Sequence, residues 1–450
     1  MKMESFLIID AGSGSVKSFL VSPKGAILKK CEHIWDRNTW NSDFAWLKIT
    51  ESIKEITENY EGEILGVSST SMREEFILID EKGEEITYTL SDESKKIGKE
   101  ILKEFGEQFY QNSGHWPVPN WIAGAIIPSL KISQPNLFER IKSILMISDW
   151  VNYRLSGELA TEGSGACETS LFDIINEDWS WDNIKKLDLP FHIFPKVLKN
   201  GEILGDIEES ITKLAGMQED IPVIMGGADT QCGLLGMGVK TGEYAAVGGT
   251  TTPIQLVTNK PLFDKEKRTW SNNHVVGDEW ILESNAGYTG RSVKWLRDEF
   301  FKEKEGYKEI TYSAKKVAIG SDGLLTYLGH HLFDAGPPYW SMDKLSELPV
   351  EPCIIGSYSF SLPVLARAIF EANSYAVRYN IEQLITISGI DLDYLYFCGG
   401  NSKSDFWMQI QADVLGKNVH VPRVNDSTAV GAAILASIGT GYYSTLDKAV

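Results

Sequence analysis

The sequence predicts an α/β protein built as two similar halves. At 450 residues the chain is too long for one hydrophobic core and comfortable for two domains. Two glycine-punctuated strand pairs recur roughly 235 residues apart, which suggests a duplicated architecture. Strand and helix patterns alternate through about the last hundred residues, as in a layered α/β structure.

The first pair is SFLIIDAGSGSVKSFLVSPKG, an apolar run, a Gly/Ser turn and a second run that stops at Pro23-Lys24-Gly25. EILGVSSTSMREEFILIDEKG repeats the pattern, with strands near 64–69 and 75–80 around Ser71 to Glu74. Helical amphipathic patterns fill 92–217, broken by GHWPVPNW at 114–121. IPVIMGGADT then reads as a buried strand running into Gly226-Gly227, and EYAAVGGTTTPIQLVT as the second strand pair. Further on, Leu365, Ala368, Ile369, Ala372, Ala376, Ile381, Leu384 and Ile385 share a helical face that Gly389 ends. YLYFCGG is a strand entering a glycine turn, and SKSDFWMQIQADVLG a helix with a Ser402-x-x-Asp405 cap and a stop at Gly416. NVHVP is a strand, and NDSTAVGAAILASIGTG a helix capped by Asn425, Asp426 or Ser427. A single boundary is placed between residues 1–239 and 240–450.

Composition narrows the function. The chain is 43% hydrophobic and 23% charged, as globular proteins are, with a net charge of −19. A field of that sign repels nucleic acid and anionic membranes, while a nucleotide is still admissible where a cation and backbone amides reverse it locally. The five cysteines are scattered and unpaired in CxxC form, which argues against a disulfide framework or structural zinc. No apolar run approaches the ~20 residues of a membrane span, and the N-terminal run lacks a cleavage pattern, so a cytoplasmic protein is expected.

Four segments could carry chemistry. Asp10 ends a strand and precedes Gly12, Ser13, Gly14, Ser15 and Lys17, so it can hold a hydrated Mg²⁺ while the turn and the lysine approach phosphate oxygens; it reads equally as a turn aspartate. Asp229 follows a strand and two glycines, either as a carboxylate that takes a proton from a hydroxyl or as a helix cap. Gly249, Thr250 and Thr251 form an anion-binding turn or a plain hairpin tip. Gly399, Gly400, Asn401 and Ser402 lie where a strand meets a helix N-terminus, suited to a phosphate or ribose. Rossmann and Walker spacings are both absent, so any nucleotide site is of another class.

The order Asp-x-Gly, Gly-Gly-x-Asp, Gly-Gly-Thr, Gly-Gly-x-Ser resembles the FGGY carbohydrate kinases along nearly the whole chain. SDWVNYRLSGE at 148–158, NAGYTGRSVKWLRD at 285–298, the helix residues Arg367 to Glu371, and ADVLGKNVHVP at 412–422 add to the resemblance. It implies two ribonuclease-H-like (actin-like ATPase) domains facing a central cleft, the first carrying the substrate site and the second the nucleotide site. It also implies ATP and Mg²⁺ as cofactors and a small sugar or polyol as substrate. Asp10 then matches the metal-site aspartate, with Asp229 as catalytic base and second metal contact. Gly249 and Thr250 match the phosphate turn; Gly290, Gly399, Gly400 and Ser402 match the nucleotide side, with Trp295 as packing. Arg73 and Glu74 stand where glycerol kinases carry a substrate-binding Arg-Glu pair, and an Arg fork beside a carboxylate can grip neighbouring hydroxyls. Ser-Met-Arg-Glu, followed by Ile-Leu-x-Asp and by Asp229-x-Gln231, is most similar to the autoinducer-2 kinases of the family; xylulose-type and glycerol/erythritol-type kinases are the alternatives. The turn Thr-Thr-Thr-Pro after Gly249 departs from the autoinducer-2 pattern. An actin-like ATPase without a sugar substrate is the reading of another class. A homodimer is kept as an option.

Overall fold

The computed structural model describes residues 3–35, 41–115, 122–301, 306–329, 353–356, 360–422 and 426–450. Most of GHWPVPNW and the candidate cap Asn425 lie outside them. The chain forms two compact units: Met1–Gly238 with Ser271–Trp280 and Asp426–Val450, and Val239–Trp270 with Ile281–Asn425.

The first unit contains strands β1 (Glu4–Ala11), β2 (Ser15–Val21) and β3 (Ile27–Ile34), then α1 (Ser42–Thr57) and β4 (Glu63–Ser71). Next come α2 (Asp92–Ser113), α3 (Ile147–Ser156), α4 (Gly163–Ala166), β5 (Ile203–Asp206), β6 (Pro222–Ala228) and α5 (Asp229–Met237). Its sheet has the order β5-β6-β4-β1-β2-β3. β1 pairs antiparallel with β2 and parallel with β4, and β4 pairs parallel with β6. Seven of the eight β1 residues are buried because both faces of the strand are covered. Leu7, Ile9 and Ala11 face a core with Ile49, Ile53 and Ile56 of α1 and Trp150 and Leu155 of α3. Phe6 and Ile8 face the other side.

The second unit holds β7 (Tyr244–Val247), β8 (Pro253–Thr258), β9 (Trp280–Asn285), α6 (Thr289–Phe300), α7 (Leu362–Ser388), β10 (Tyr394–Cys398), α8 (Asp405–Leu415) and β11 (Asn418–His420). Its sheet contains, in order, β9-β8-β7-β10-β11. That order repeats β3-β2-β1-β4-β6 of the first unit, with β7 antiparallel to β8 and parallel to β10. The duplicated order is the ribonuclease-H-like arrangement. The apolar stripe of α7, including Leu365, Ile369, Ala376, Ile381 and Leu384, packs on Ala246, Ile254 and Leu395, and Gly389 ends the helix at φ 72°.

The final helix, α9 (Ser427–Gly439), belongs with the first unit. Ala429, Ala432, Ala433 and Leu435 cover Phe6 and Ile8, together with Cys232 and Leu235 of α5. Helices α5 and α9 touch backbone to backbone: a Cβ on Gly236 would lie 1.9 Å from the Ser427 carbonyl, and one on Gly431 equally close to that of Cys232.

Several local expectations change. Phe76–Ile79 does not close a hairpin with β4; it pairs with Ser143–Met146, after Glu74 takes φ 68° and turns the chain out of the sheet. Gly226 and Gly227 lie within β6, not in a turn beyond it. A Cβ on Gly226 would come within 1.9 Å of the Ser69 carbonyl, so the glycine lets β6 lie against β4 where their register shifts. The cap of α8 is Ser404, whose hydroxyl accepts from the Trp407 N–H at 3.3 Å; Ser402 sits earlier in a tight turn.

Gly226→Ala should lower unfolding stability by about 1–3 kcal/mol, because the clash is with backbone. Gly277→Ala, where nothing lies within 4 Å of the added carbon, should stay within about 0.5 kcal/mol in the same urea titration.

Candidate functional site

The carboxyl ends of three parallel strands bring together residues of the first unit far apart in sequence. Ala11 of β1 registers with Ser71 of β4, and Ser71 with Ala228 of β6. Asp10, the Met72-Arg73-Glu74 segment and Asp229 therefore leave adjacent strands at one level, with β1 and β6 about 9–10 Å apart across β4. Loops and helix starts at such strand ends are where α/β sheets place ligands.

Asp10 shares the parity of Phe6 and Ile8, so it points toward the α5 and α9 face. It is 9% exposed, and the Lys17 amino group lies 3.6 Å from Oδ2 across the β1–β2 pair. Burial pushes its carboxyl above the usual range, with Lys17 pulling the other way and Asp426 adding repulsion. The Gly12 N–H is spent on the Ser15 carbonyl at 3.0 Å, and the Ser15 hydroxyl donates to Glu32 at 2.7 Å. Ser13 and Gly14 are exposed at the tip. The turn thus has its own bonds at Gly12 and Ser15 and an open tip between them.

Asp229 is the first residue of α5 and partly exposed. Its Oδ1 accepts from the Thr230 N–H at 2.7 Å, and its carbonyl accepts from Thr428 Oγ1 at 3.1 Å. Ala228 holds the cap position, so Asp229 is not the cap itself but a carboxylate in the first turn, favoured there by the helix dipole and lying at the strand ends. Gln231 is fully buried; its Oε1 accepts from the Thr230 hydroxyl at 2.6 Å, and its Nε2 has no hydrogen-bond partner among the described residues.

Arg73 is drawn inward. Its Nη1 donates at 3.2 Å to Glu168 Oε1, a side chain with no exposure, while the Arg73 side chain is 10% exposed. Glu168 Oε2 lies 3.7 Å from His115 Nδ1, and His115 Nε2 bonds with Asn272 Oδ1. Burial, opposed by the Asn272 bond and aided by the Arg73 charge, drives the His115 imidazole down to about 3. Glu168 and His115 carried no recognisable sequence signal, being the one carboxylate in GACETS and the one imidazole in NSGHW. Glu168 follows α4, which is tied to the Asp229 strand: Ser164 Oγ accepts from the Ala228 N–H at 2.9 Å and donates to Glu162 at 2.7 Å. One short segment therefore holds both the Arg73 side and the Asp229 side.

In the second unit, three glycine motifs meet. The Gly248 N–H donates to Cys398 and its carbonyl accepts from the Asn401 N–H at 3.1 Å, while Asn401 Nδ2 reaches the Gly249 carbonyl at 3.2 Å. A Cβ on Gly290 would lie 1.9 Å from that same carbonyl, and Gly399, at φ 86°, is 2.4 Å by the same measure from the Gly248 carbonyl. The Arg291 N–H donates to the Thr250 carbonyl at 3.1 Å. Gly249, Thr250 and Gly400 are exposed, and Thr251 partly so. The Ser402 hydroxyl closes its own turn on the Gly399 carbonyl at 2.8 Å. Trp295 lies on the surface edge-on to Phe300. These turns expose backbone and hydroxyls of the kind that accommodate a nucleotide's phosphates and ribose.

The N-terminal domain of the FGGY family of carbohydrate kinases matches residues 5–236, and its C-terminal domain residues 244–440. The chain is 29% identical, over 98% of its length and 87% of the relative, to the autoinducer-2 kinase of Salmonella paratyphi B. Its fold superposes on ligand-bound xylulose kinase from Lactobacillus acidophilus with a TM-score of 0.85 at 19% identity, covering 99% of this chain and 91% of that one. For Plasmodium falciparum glycerol kinase with ADP the TM-score is 0.82 at 18% identity, with the same coverage.

Because His115 is held below its unfolded value of about 6.5, the unfolded chain takes up that proton first as pH falls. Its contribution is complete above about pH 6.5 and is lost as pH drops toward about 3. His115→Gln should flatten the fall of stability between about pH 6 and 4 by up to about 1.4 kcal/mol per pH unit, read from urea midpoints across that range.

Proposed function

The chain belongs to the FGGY family of carbohydrate kinases, and from that premise we propose that Asp229 activates a hydroxyl of a small neutral sugar or polyol for attack on the γ-phosphate of ATP. Asp10, Arg73-Glu74 and Asp229 leave the same ends of three hydrogen-bonded parallel strands, and this observation carries the assignment.

Arg73 and Glu74 orient the acceptor, the guanidinium donating to one hydroxyl and the Glu74 carboxylate accepting from its neighbour. The buried Gln231 amide, with an unpartnered Nε2, adds a donor beside Asp229. The acceptor O–H gives its proton to the Asp229 carboxylate as the oxygen bonds to the γ-phosphorus. The bond from that phosphorus to the bridging oxygen breaks, and ADP leaves. Within the first unit, Gly12 to Ser15 with Lys17 is the segment proposed for phosphate; within the second, Gly249 to Thr251 with Gly290 and Gly399 to Ser402 is the segment proposed for the nucleotide. Ser13, Gly14, Gly249, Thr250 and Gly400 are those open to it.

Asp10 and Asp229 fit a magnesium ion: they are hard oxygen donors, and Asp10 is a desolvated carboxyl raised because Lys17 only partly compensates its burial. Magnesium held there would neutralise phosphate charge as it develops. The autoinducer-2 kinase relative, matched along nearly the whole chain, supports a dihydroxypentanedione-like acceptor. A glycerol- or erythritol-type acceptor is the second reading, favoured by the Arg73-Glu74 pair.

Asp229→Asn should lower kcat by roughly 10²–10⁴ while ATP affinity stays within a few-fold. Substantial residual turnover would remove the base role. Arg73→Ala should raise the acceptor KM much more than the ATP KM, measured across glycerol, erythritol, pentuloses, hexuloses and dihydroxypentanedione. Equal shifts would remove Arg73 from the acceptor site.

A further inference from the structure

An arginine fork is by itself a receptor for carboxylates, which it binds through two parallel hydrogen bonds. In a site meant for hydroxyls it would select sugar acids over neutral sugars unless its charge were met from within. Glu168 meets it: its side chain has no exposure, and Oε1 takes a hydrogen bond from Arg73 Nη1 at 3.2 Å. A charge buried so fully is poorly screened by solvent ions.

Two ionisable neighbours bring no positive charge of their own to Glu168. His115 lies 3.7 Å from Oε2, but burial keeps the imidazole neutral in the working pH range. Cys167 beside it is also held neutral, its thiol pushed well up by burial and by Glu168. His115, Cys167 and Glu168 bring ligand-type atoms within 4.8 Å of one another. They are nevertheless a poor cation site, because the Arg73 guanidinium already sits on Glu168 and the Cys167 thiol donates to the Ser164 carbonyl at 3.3 Å.

We infer that Glu168 is the specificity-determining residue of the acceptor site: by holding Arg73 and cancelling its charge, it admits neutral polyols and turns away aldonates. Glu168 acts through Arg73 and is a positioning residue. Its placement after α4, whose Ser164 accepts from the Ala228 N–H, keeps Arg73 in register with Asp229. This inference rests on Arg73 contacting the acceptor, as proposed above.

The test is steady-state kinetics of wild type, Glu168→Gln and Glu168→Asp with the neutral acceptors and with D-gluconate, beside ATP KM and melting temperature. Glu168→Gln should raise the KM for the best neutral acceptor roughly tenfold, the scale of a lost charge-assisted hydrogen bond, with kcat changed less than about threefold. The ATP KM should stay constant, and D-gluconate should bind at least tenfold more tightly, as substrate or inhibitor. Glu168→Asp, which retains the carboxylate, should keep the wild-type ranking. A Glu168→Gln variant that shifts neutral and acidic ligands equally, or a Glu168→Asp variant that behaves like it, would overturn the inference. If Glu168→Gln gives no cooperative melt, two results decide: the Glu168→Asp ranking, and wild-type inhibition by D-gluconate, which overturns the inference if it matches the neutral acceptor in affinity. Arg73→Ala separates the two levels. An unchanged acceptor KM in that variant would sink the acceptor assignment itself; a raised one, with Glu168→Gln leaving the ranking alone, sinks only the part given to Glu168.

Discussion

The register of three parallel strands is the constraint that sets where Asp10, Arg73 and Asp229 stand. β1, β4 and β6 end level because Ala11, Ser71 and Ala228 are partners across them, and that alignment needs a glycine where β6 presses on the Ser69 carbonyl. A strand displaced by one residue would turn Asp10 to the opposite face and replace it with a core side chain. Burial of Asp10 follows from the same alignment, since its face is covered by α5 and α9. Its raised carboxyl thus follows from sheet packing, which buries it beside only one lysine.

The second unit repeats the strand order and uses it differently. Where the first sheet ends in carboxylates and an arginine, the second ends in backbone: Gly248 and Gly249 lie against Gly290, Gly399 and Asn401 at distances that a Cβ would forbid. One scaffold therefore presents two kinds of surface at its strand ends. Charged side chains suit proton transfer and the gripping of hydroxyls. Close-packed amides and hydroxyls suit a nucleotide whose own charge is already large.

Much of this was legible because it is local and periodic. The β1 run, the α7 stripe with its Gly389 stop, and the duplicated glycine turns are patterns of a few residues' period, and they formed as read. What stayed hidden is non-local. Phe76–Ile79 looks like the return strand of a hairpin, yet its partner is Ser143–Met146, some seventy positions on, and only the backbone at Glu74 redirects it. Gly226-Gly227 looked like a turn because glycine's reason for being there, the Ser69 carbonyl, lies on another strand. Glu168 was invisible because an isolated glutamate near small residues has no period and acquires meaning only beside Arg73. A single cut at 239/240 likewise has no means of showing that Asp426–Val450 packs with the first unit.

That last point bears on how the protein is made. Phe6 and Ile8 are covered by a helix encoded more than four hundred positions later. During synthesis the first sheet must wait with one greasy face uncovered until residues 427–439 leave the ribosome. The second unit, whose strands and helices lie between 239 and 425 apart from Ser271–Trp280, can order itself earlier. The order of emergence and the order of completion are therefore reversed: the half that begins first finishes last. In the interval that apolar face stays exposed, and a chain cut short just before α9 would be nearly whole yet unable to cover Phe6 and Ile8.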